Sequence, residues 1–161
     1  MIGLIQLPNF QIRTDEQIVP LTINHVFSIK FGPHEKEYAK HIPDYRDYVW
    51  DYSVMGWSWA AIGRGKVIAI FGVRDVWPGV VEAWFVPGEG LEKHVRSTLI
   101  GARALLRDVM SDKDIRRMQI FVKVDNDRAF RFAKALQFEV ECKLRKFGPE
   151  GADYYSMARF D

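Results

Sequence analysis

A mixed, mostly antiparallel twisted β-sheet with helices on both faces is the fold class this sequence predicts, and three observations predict it. The apolar period changes from a helical step over 35–52 to a strand step from residue 58 onward. Three strand-like segments then follow one another through short turns, as in an antiparallel meander. After them strand, helix, strand, helix and strand alternate, which brings a parallel pair into the sheet. The 161 residues are the length of one ordinary domain, read as 1–161 with a segment 1–30 of uncertain structure.

The apolar start Met1–Gln6 lacks a positive leader and is interrupted by Pro8 and Asn9, so it does not read as a targeting segment. Ile18–Ile23 reads as an edge strand, because it contains Pro20. From Glu35 the apolar and aromatic positions Tyr38, Ile42, Tyr45, Val49 and Tyr52 fall at helical steps. Pro43 breaks their register, which predicts two short helices, the second starting near Pro43. Ser58–Ile62 and Val67–Val73 flank Gly63-Arg64-Gly65-Lys66 as a tight hairpin. Val80–Val86 follows the turn Trp77-Pro78-Gly79. A helix comes next, with Val95, Leu99, Ala102, Leu106 and Val109 as its apolar stripe and Arg96, Arg103 and Arg107 off it. Met118–Val124 reads as a buried strand. Asp125-Asn126-Asp127 can cap a helix over about 128–136. Glu139–Lys146 and Asp153–Phe160 close the chain as a hairpin around Gly148-Pro149-Glu150-Gly151.

Composition narrows the function classes. The chain is 48% hydrophobic and 27% charged, the balance of a globular protein. One cysteine, Cys142, excludes a disulfide framework and a cysteine-rich zinc site. His25, His34 and His41 show no ligand spacing with one another or with Cys142, so no metal is expected. Residues 1–80 carry eight basic and eight acidic side chains; with totals of 23 and 21, residues 81–161 carry fifteen and thirteen. Neither half calls for nucleic acid. No apolar run reaches membrane-spanning length, so a cytoplasmic protein without a membrane partner is the expectation.

Two further features carry chemistry. Glu82 is the one carboxylate in the apolar strand Val81-Glu82-Ala83-Trp84-Phe85-Val86. Such a group is costly unless it is paired, sits at the sheet margin, or has a raised pKa suited to proton transfer. The aromatic residues Tyr45, Tyr48, Trp50, Tyr52, Trp57 and Trp59 are either core or a contact surface.

The segments Val124-Asp125-Asn126-Asp127-Arg128-Ala129 and Ala133-Lys134-Ala135-Leu136-Gln137-Phe138 resemble the Asn-x-x-Ala, helix, Leu-Gly-Phe ending of the GNAT acetyltransferase superfamily. Leu144–Gly151 with Arg159-Phe160 looks more narrowly like a subgroup of tailed phages and prophages, in which that hairpin turn often reads Gly-Pro-x-Gly. The resemblance covers the chain from about Phe27 onward. It implies a V-shaped gap between the fourth and fifth strands that receives the pantetheine arm of acetyl-CoA, with Phe85 and Val86 presenting backbone to it. It implies Glu82 as the base for an amine acceptor. Gly88, Gly90, His94 and Arg96 would form the phosphate stretch, and Asn126 would bond the cofactor while capping its helix. The sequence departs from the family pattern at three places. The glycines come early, with Glu89 and Glu92 nearby. Ala133 replaces the tyrosine that protonates the leaving thiolate. Gln137 replaces the glycine before Phe138. The expectation is therefore a phage-type acyltransferase with a degenerate site, or a non-catalytic virion-associated or assembly protein that binds phage structural proteins.

Overall fold

The computed structural model describes residues 10–111 and 114–160, with side chains from residue 14 onward. The apolar start Met1–Gln6, and Pro8 and Asn9 after it, lie outside the described residues. Eight strands form one sheet in the order β1-β2-β3-β4-β5-β6-β8-β7. They are β1 (Phe10–Arg13), β2 (Glu16–Pro20), β3 (Gly56–Gly63), β4 (Lys66–Trp77), β5 (Val80–Pro87), β6 (Arg117–Lys123), β7 (Glu139–Leu144) and β8 (Tyr154–Phe160). The helices are α1 (Ile23–Ser28), α2 (Pro33–Ala39), α3 (Tyr45–Ser53), α4 (Val95–Met110) and α5 (Asp127–Ala135). Every neighbouring pair is antiparallel except β5 and β6.

The meander β3–β4–β5 forms as its turns predict, with Gly63 opposite Lys66 and Val80 opposite Trp77. Alternation along β5 sorts its side chains to two cores. Val81 and Ala83 pack with Trp59, Phe71, Leu105, Val109 and Phe138 under α4 and α5. Trp84 and Val86 pack with Val26, Ile29, Tyr45, Val49 and Ile70 under α1 and α3. A sheet buried on both faces explains the near-continuous apolar run Val67–Val73 of β4.

Several expectations are corrected. Ile18–Ile23 is not an edge strand: β2 runs Glu16–Pro20 and lies between β1 and β3. Pro20 is tolerated because it is the last residue of the strand, after which the Leu21 amide resumes bonding to Ser58 O. Residues 23–28, which carry no clear period, form α1. Its end is held by Arg46, which donates to the carbonyls of Val26 (2.6 Å) and Ile29 (2.9 Å) and lies 4.2 Å from the Phe31 ring centroid. β6 buries only Met118 and Val122 fully, so it is covered well on one face alone. In α4 the expected Ala102, Leu106 and Val109 are buried and Leu99 packs against the core, with Thr98 and Leu105 beside them, while Val95 is exposed.

At the end of α5 the expected glycine is absent, yet the same cap forms. The Phe138 amide bonds to Ala133 O and the Gln137 amide to Lys134 O, with Gln137 left-handed at φ 72°. A side chain in that region costs about 1 kcal/mol relative to glycine. Gln137→Gly should therefore raise the urea midpoint by an amount equivalent to about 0.5–1 kcal/mol. An unchanged or lower midpoint would show that Gln137 is not strained.

Candidate active site

Pairing between β5 and β6 is brief. Val80 faces Arg117, Val81 faces Met118 and Glu82 faces Gln119, and there the ladder ends. Beyond it β5 continues to Pro87 beside β4, and β6 continues to Lys123 beside β8. The two strands thus part after Glu82, leaving backbone edges from Ala83 to Val86 and from Ile120 to Lys123 with no ladder between them. Such edges can pair with an extended ligand as with an added strand.

Glu82 stands where the strands part. Its side chain is 12% exposed and faces α3, not the α4–α5 side. Tyr52 donates its hydroxyl to Glu82 Oε1 at 2.8 Å. Arg74, the cross-strand neighbour of Glu82, places Nη2 at 3.3 Å from Oε1 and 3.2 Å from Oε2. The same guanidinium lies 4.2 Å from the Tyr52 ring centroid, and Trp84 meets Tyr52 edge-on at 5.6 Å. Burial first, and then the Glu82 charge, push the Tyr52 hydroxyl far above the usual phenol range, so it stays a donor. The pairing that would let a carboxylate survive in this strand is therefore present. Beside it, Arg74 Nε and Trp84 Nε1 are buried with no hydrogen-bond partner among the described residues. Each such donor costs about 1–3 kcal/mol, which groups of purely structural use seldom retain.

The other expected residues are placed as follows. Phe85 turns its ring to the α5 side, 4.8 Å from Phe132 and 5.9 Å from Phe71, leaving its backbone at the gap. Gly88 is fixed by packing, since a Cβ there would meet Ile29 Cγ1 at 2.9 Å, and its amide bonds to Ile68 O. Gly90, at φ 91°, begins the single 3-10 turn Leu91–Lys93 that leads into α4. His94 is buried, with Nδ1 2.8 Å from Glu16 Oε1 on β2. Its side chain is committed to the sheet, and it fixes the start of α4. The amides of Val95, Arg96 and Ser97 precede the first bond of α4, Thr98 N–H to His94 O, and form its positive end. Arg96 is exposed there. Asn126 caps α5, its Oδ1 accepting from the Ala129 amide at 3.1 Å. Ala133 is a buried core residue. Among the described residues no group of three or more His, Cys, Asp or Glu converges on a metal position, and no helix is long and apolar enough to cross a membrane.

The aromatic cluster divides. Trp59 and Tyr45 are core, and Tyr45, Tyr48 and Tyr52 line one face of α3 in successive ring contacts of 6.2 and 6.0 Å. Sequence reading missed Arg74, although the turn at Pro78 sets it directly across from Glu82. It also missed Glu35, whose carboxyl accepts from the Tyr45 hydroxyl. Nothing local marks Glu35, because the hydroxyl it accepts from belongs to Tyr45, ten residues on in α3.

Burial pushes the Glu35 carboxyl from the ordinary 4.5 up to about 8. The folded chain thus keeps a proton that the unfolded chain releases. This contribution to stability is complete below about 4.5 and is lost as pH rises through about 8. Unfolding midpoints measured between about pH 5 and pH 9 should fall for the wild type and fall less for Glu35→Gln. Parallel curves for the two proteins would place Glu35 in water.

No family model matches the chain, and no curated protein matches it. Solved structures do match. The chain is similar to Ard1 from Thermoplasma volcanium, at 18% identity and a TM-score of 0.71 over 91% of this chain and 97% of that one. It is similar to a GNAT-family acetyltransferase from Bacillus anthracis, at 14% identity and 0.69 over 91% and 95%. It is also similar to RimL, a ribosomal L7/L12 α-N-protein acetyltransferase in complex with coenzyme A, at 15% identity and 0.70 over 95% and 98%. The strand order, the parted parallel pair and these likenesses agree: the chain has the fold of the GNAT acetyltransferases.

Proposed function

We propose that this chain is an acetyl-CoA-dependent N-acyltransferase, with Glu82 as the proton acceptor and the parted strands as the seat of the thioester arm. The observation that carries this reading is a coincidence of position. The one carboxylate of an apolar strand stands at the last residue pair before β5 and β6 separate. The solved complex of a similar fold with coenzyme A supports the choice of ligand.

The chain's own groups fit that ligand in part. The unladdered edges of Ala83–Val86 and Ile120–Lys123 would bond the pantetheine amides. The amides of Val95, Arg96 and Ser97, with the exposed Arg96 side chain, would face the diphosphate, while Glu89 and Glu92 oppose it. Asn126 spends its oxygen on the α5 cap and keeps its side-chain N–H groups for the ligand. When bound, acetyl-CoA supplies a thioester whose carbonyl carbon the acceptor amine attacks, forming a C–N bond and breaking the C–S bond.

Glu82 takes the proton that the attacking nitrogen must lose, directly or through one water. Tyr52 and Arg74 hold both carboxylate oxygens, so Glu82 presents a single orientation to the amine. Ala133 has no proton to give, so the departing thiolate takes its proton from solvent, and a slow enzyme is expected. Protein amines are acceptors of two structurally similar enzymes by their names, which supports an amine acceptor here. The closing hairpin supports a phage or prophage origin acting in a bacterial cytoplasm.

A second reading has its own observations. Arg74 already pairs with Glu82, and Ala133, which stands where the resemblance expects a tyrosine, is buried and has no proton to give. Both suit a scaffold that has kept the fold without catalysis and binds phage structural proteins.

Acetyl-CoA should raise the thermal midpoint in a saturable way, since a ligand of the native state stabilises it. Glu82→Gln should lower kcat by about a hundredfold or more while leaving acetyl-CoA affinity nearly unchanged. No shift at millimolar acetyl-CoA contradicts the transferase reading and favours the scaffold. Full activity in Glu82→Gln removes Glu82 from the chemistry.

A further inference from the structure

One face of α3 connects two carboxylates. Tyr45, Tyr48 and Tyr52 stand at i, i+3 and i+7 on it, and their rings meet in sequence. At one end Tyr52 donates to Glu82, and at the other Tyr45 donates to Glu35. Seven helical residues separate the ends by about 10 Å. Tyr38 stands against this stripe, edge-on to Tyr45 at 5.9 Å, within electrostatic reach of Tyr48, Tyr154, Glu35 and Glu82. Glu35 therefore bonds to Tyr45 within electrostatic reach of phenols from α2 and β8.

The charges around it are turned elsewhere. Lys36 bonds to Glu89 at 3.3 Å, Lys40 to Glu37 at 2.7 Å, and His41 lies 3.9 Å from Glu150. Arg46 is spent on the carbonyls of Val26 and Ile29. Among the described residues Glu35 has no ion-pair partner. A carboxyl held by the Tyr45 hydroxyl, beside a cluster of phenol rings and left without a cation among the described residues, offers what an ammonium or guanidinium binds: charge with π-electron density close by.

We propose that Glu35 with Tyr38, Tyr45, Tyr48 and Tyr154 is a second cation site, which takes a positive group of the acceptor about 10 Å from the amine presented to Glu82. The acceptor is then a dication, either a linear polyamine or a peptide with a basic side chain near its reacting amine. The identity of the first amine rests on the transferase reading; the cation site itself needs no transfer. Its raised pKa fits, because an arriving cation would displace the proton that burial keeps on Glu35.

Calorimetry on the whole chain tests this with two probe pairs at about pH 9, where Glu35 is ionised. One pair is a linear alkyl diamine with nitrogens about 10 Å apart and the monoamine of equal length. The other is a short peptide with lysine near its amino terminus and the same peptide with norleucine there. In at least one pair the probe with the additional cationic group should bind about tenfold or more tighter than its partner. Glu35→Gln should erase that preference and leave the partner probe unchanged; Tyr38→Leu should weaken it if Glu35→Gln does not fold. A preference in the diamine pair alone identifies a polyamine, and one in the peptide pair alone a basic peptide. Equal binding within both pairs, or a preference that survives Glu35→Gln, overturns the site. A Glu35-dependent preference without acetyl-CoA binding would keep the cation site and discard the transferase.

Discussion

Three residue pairs, Val80–Arg117, Val81–Met118 and Glu82–Gln119, are the only backbone ladder between the two halves of the sheet among the described residues. A parallel pair needs a long crossover, here the 3-10 turn and α4, and that crossover lies over one face. The antiparallel partners β4 and β8 hold β5 and β6 along their length, while the strands themselves part after three pairs. Everything of functional interest follows from that parting. It exposes backbone edges in the middle of a buried sheet, brings the start of α4 to their open end, and puts Glu82 at the vertex.

The cost of this arrangement appears in the carboxylates withdrawn from water. Glu82 is compensated by a guanidinium and a phenol, and Glu16 by His94, a buried contact that also fixes the loop before α4. Glu35 is compensated least, by the hydroxyl of Tyr45, and its carboxyl is shifted upward accordingly. Pairing one of these groups poorly destabilises the fold, because an unpaired buried charge costs more than a paired one returns. The Glu35 environment and the unpartnered donors of Arg74 and Trp84 lie on the α2–α3 side of the sheet, while Trp59 Nε1, likewise without a hydrogen-bond partner among the described residues, lies on the other. The α2–α3 side is the one from which an acceptor would approach Glu82.

Much of this was legible from local patterns, and the rest was not for identifiable reasons. The meander, α4, α5 and the closing hairpin are marked by period and turn chemistry, and each formed close to its expected span. Asn126 could be read as a cap because the cap is local. The edge-strand reading of Ile18–Ile23 failed because β1 is too short and irregular to announce itself, and an edge cannot be recognised without its neighbour. Val95 was assigned to the wrong face because His94 and Ser97, polar residues, are the buried ones at that turn. Glu82 was conspicuous as a charge in an apolar strand. Arg74 required the hairpin register, and Glu35 required the meeting of α2 with Tyr45 of α3, which no periodicity reports.

Amide hydrogen exchange with and without acetyl-CoA tests the parted strands most directly. Bound as an added strand, the ligand should slow exchange within Ala83–Val86 of β5 and Ile120–Lys123 of β6, and at the first turn of α4. Protection confined to other surfaces, or no protection at saturating ligand, would contradict the account and leave the gap as a feature of the fold alone.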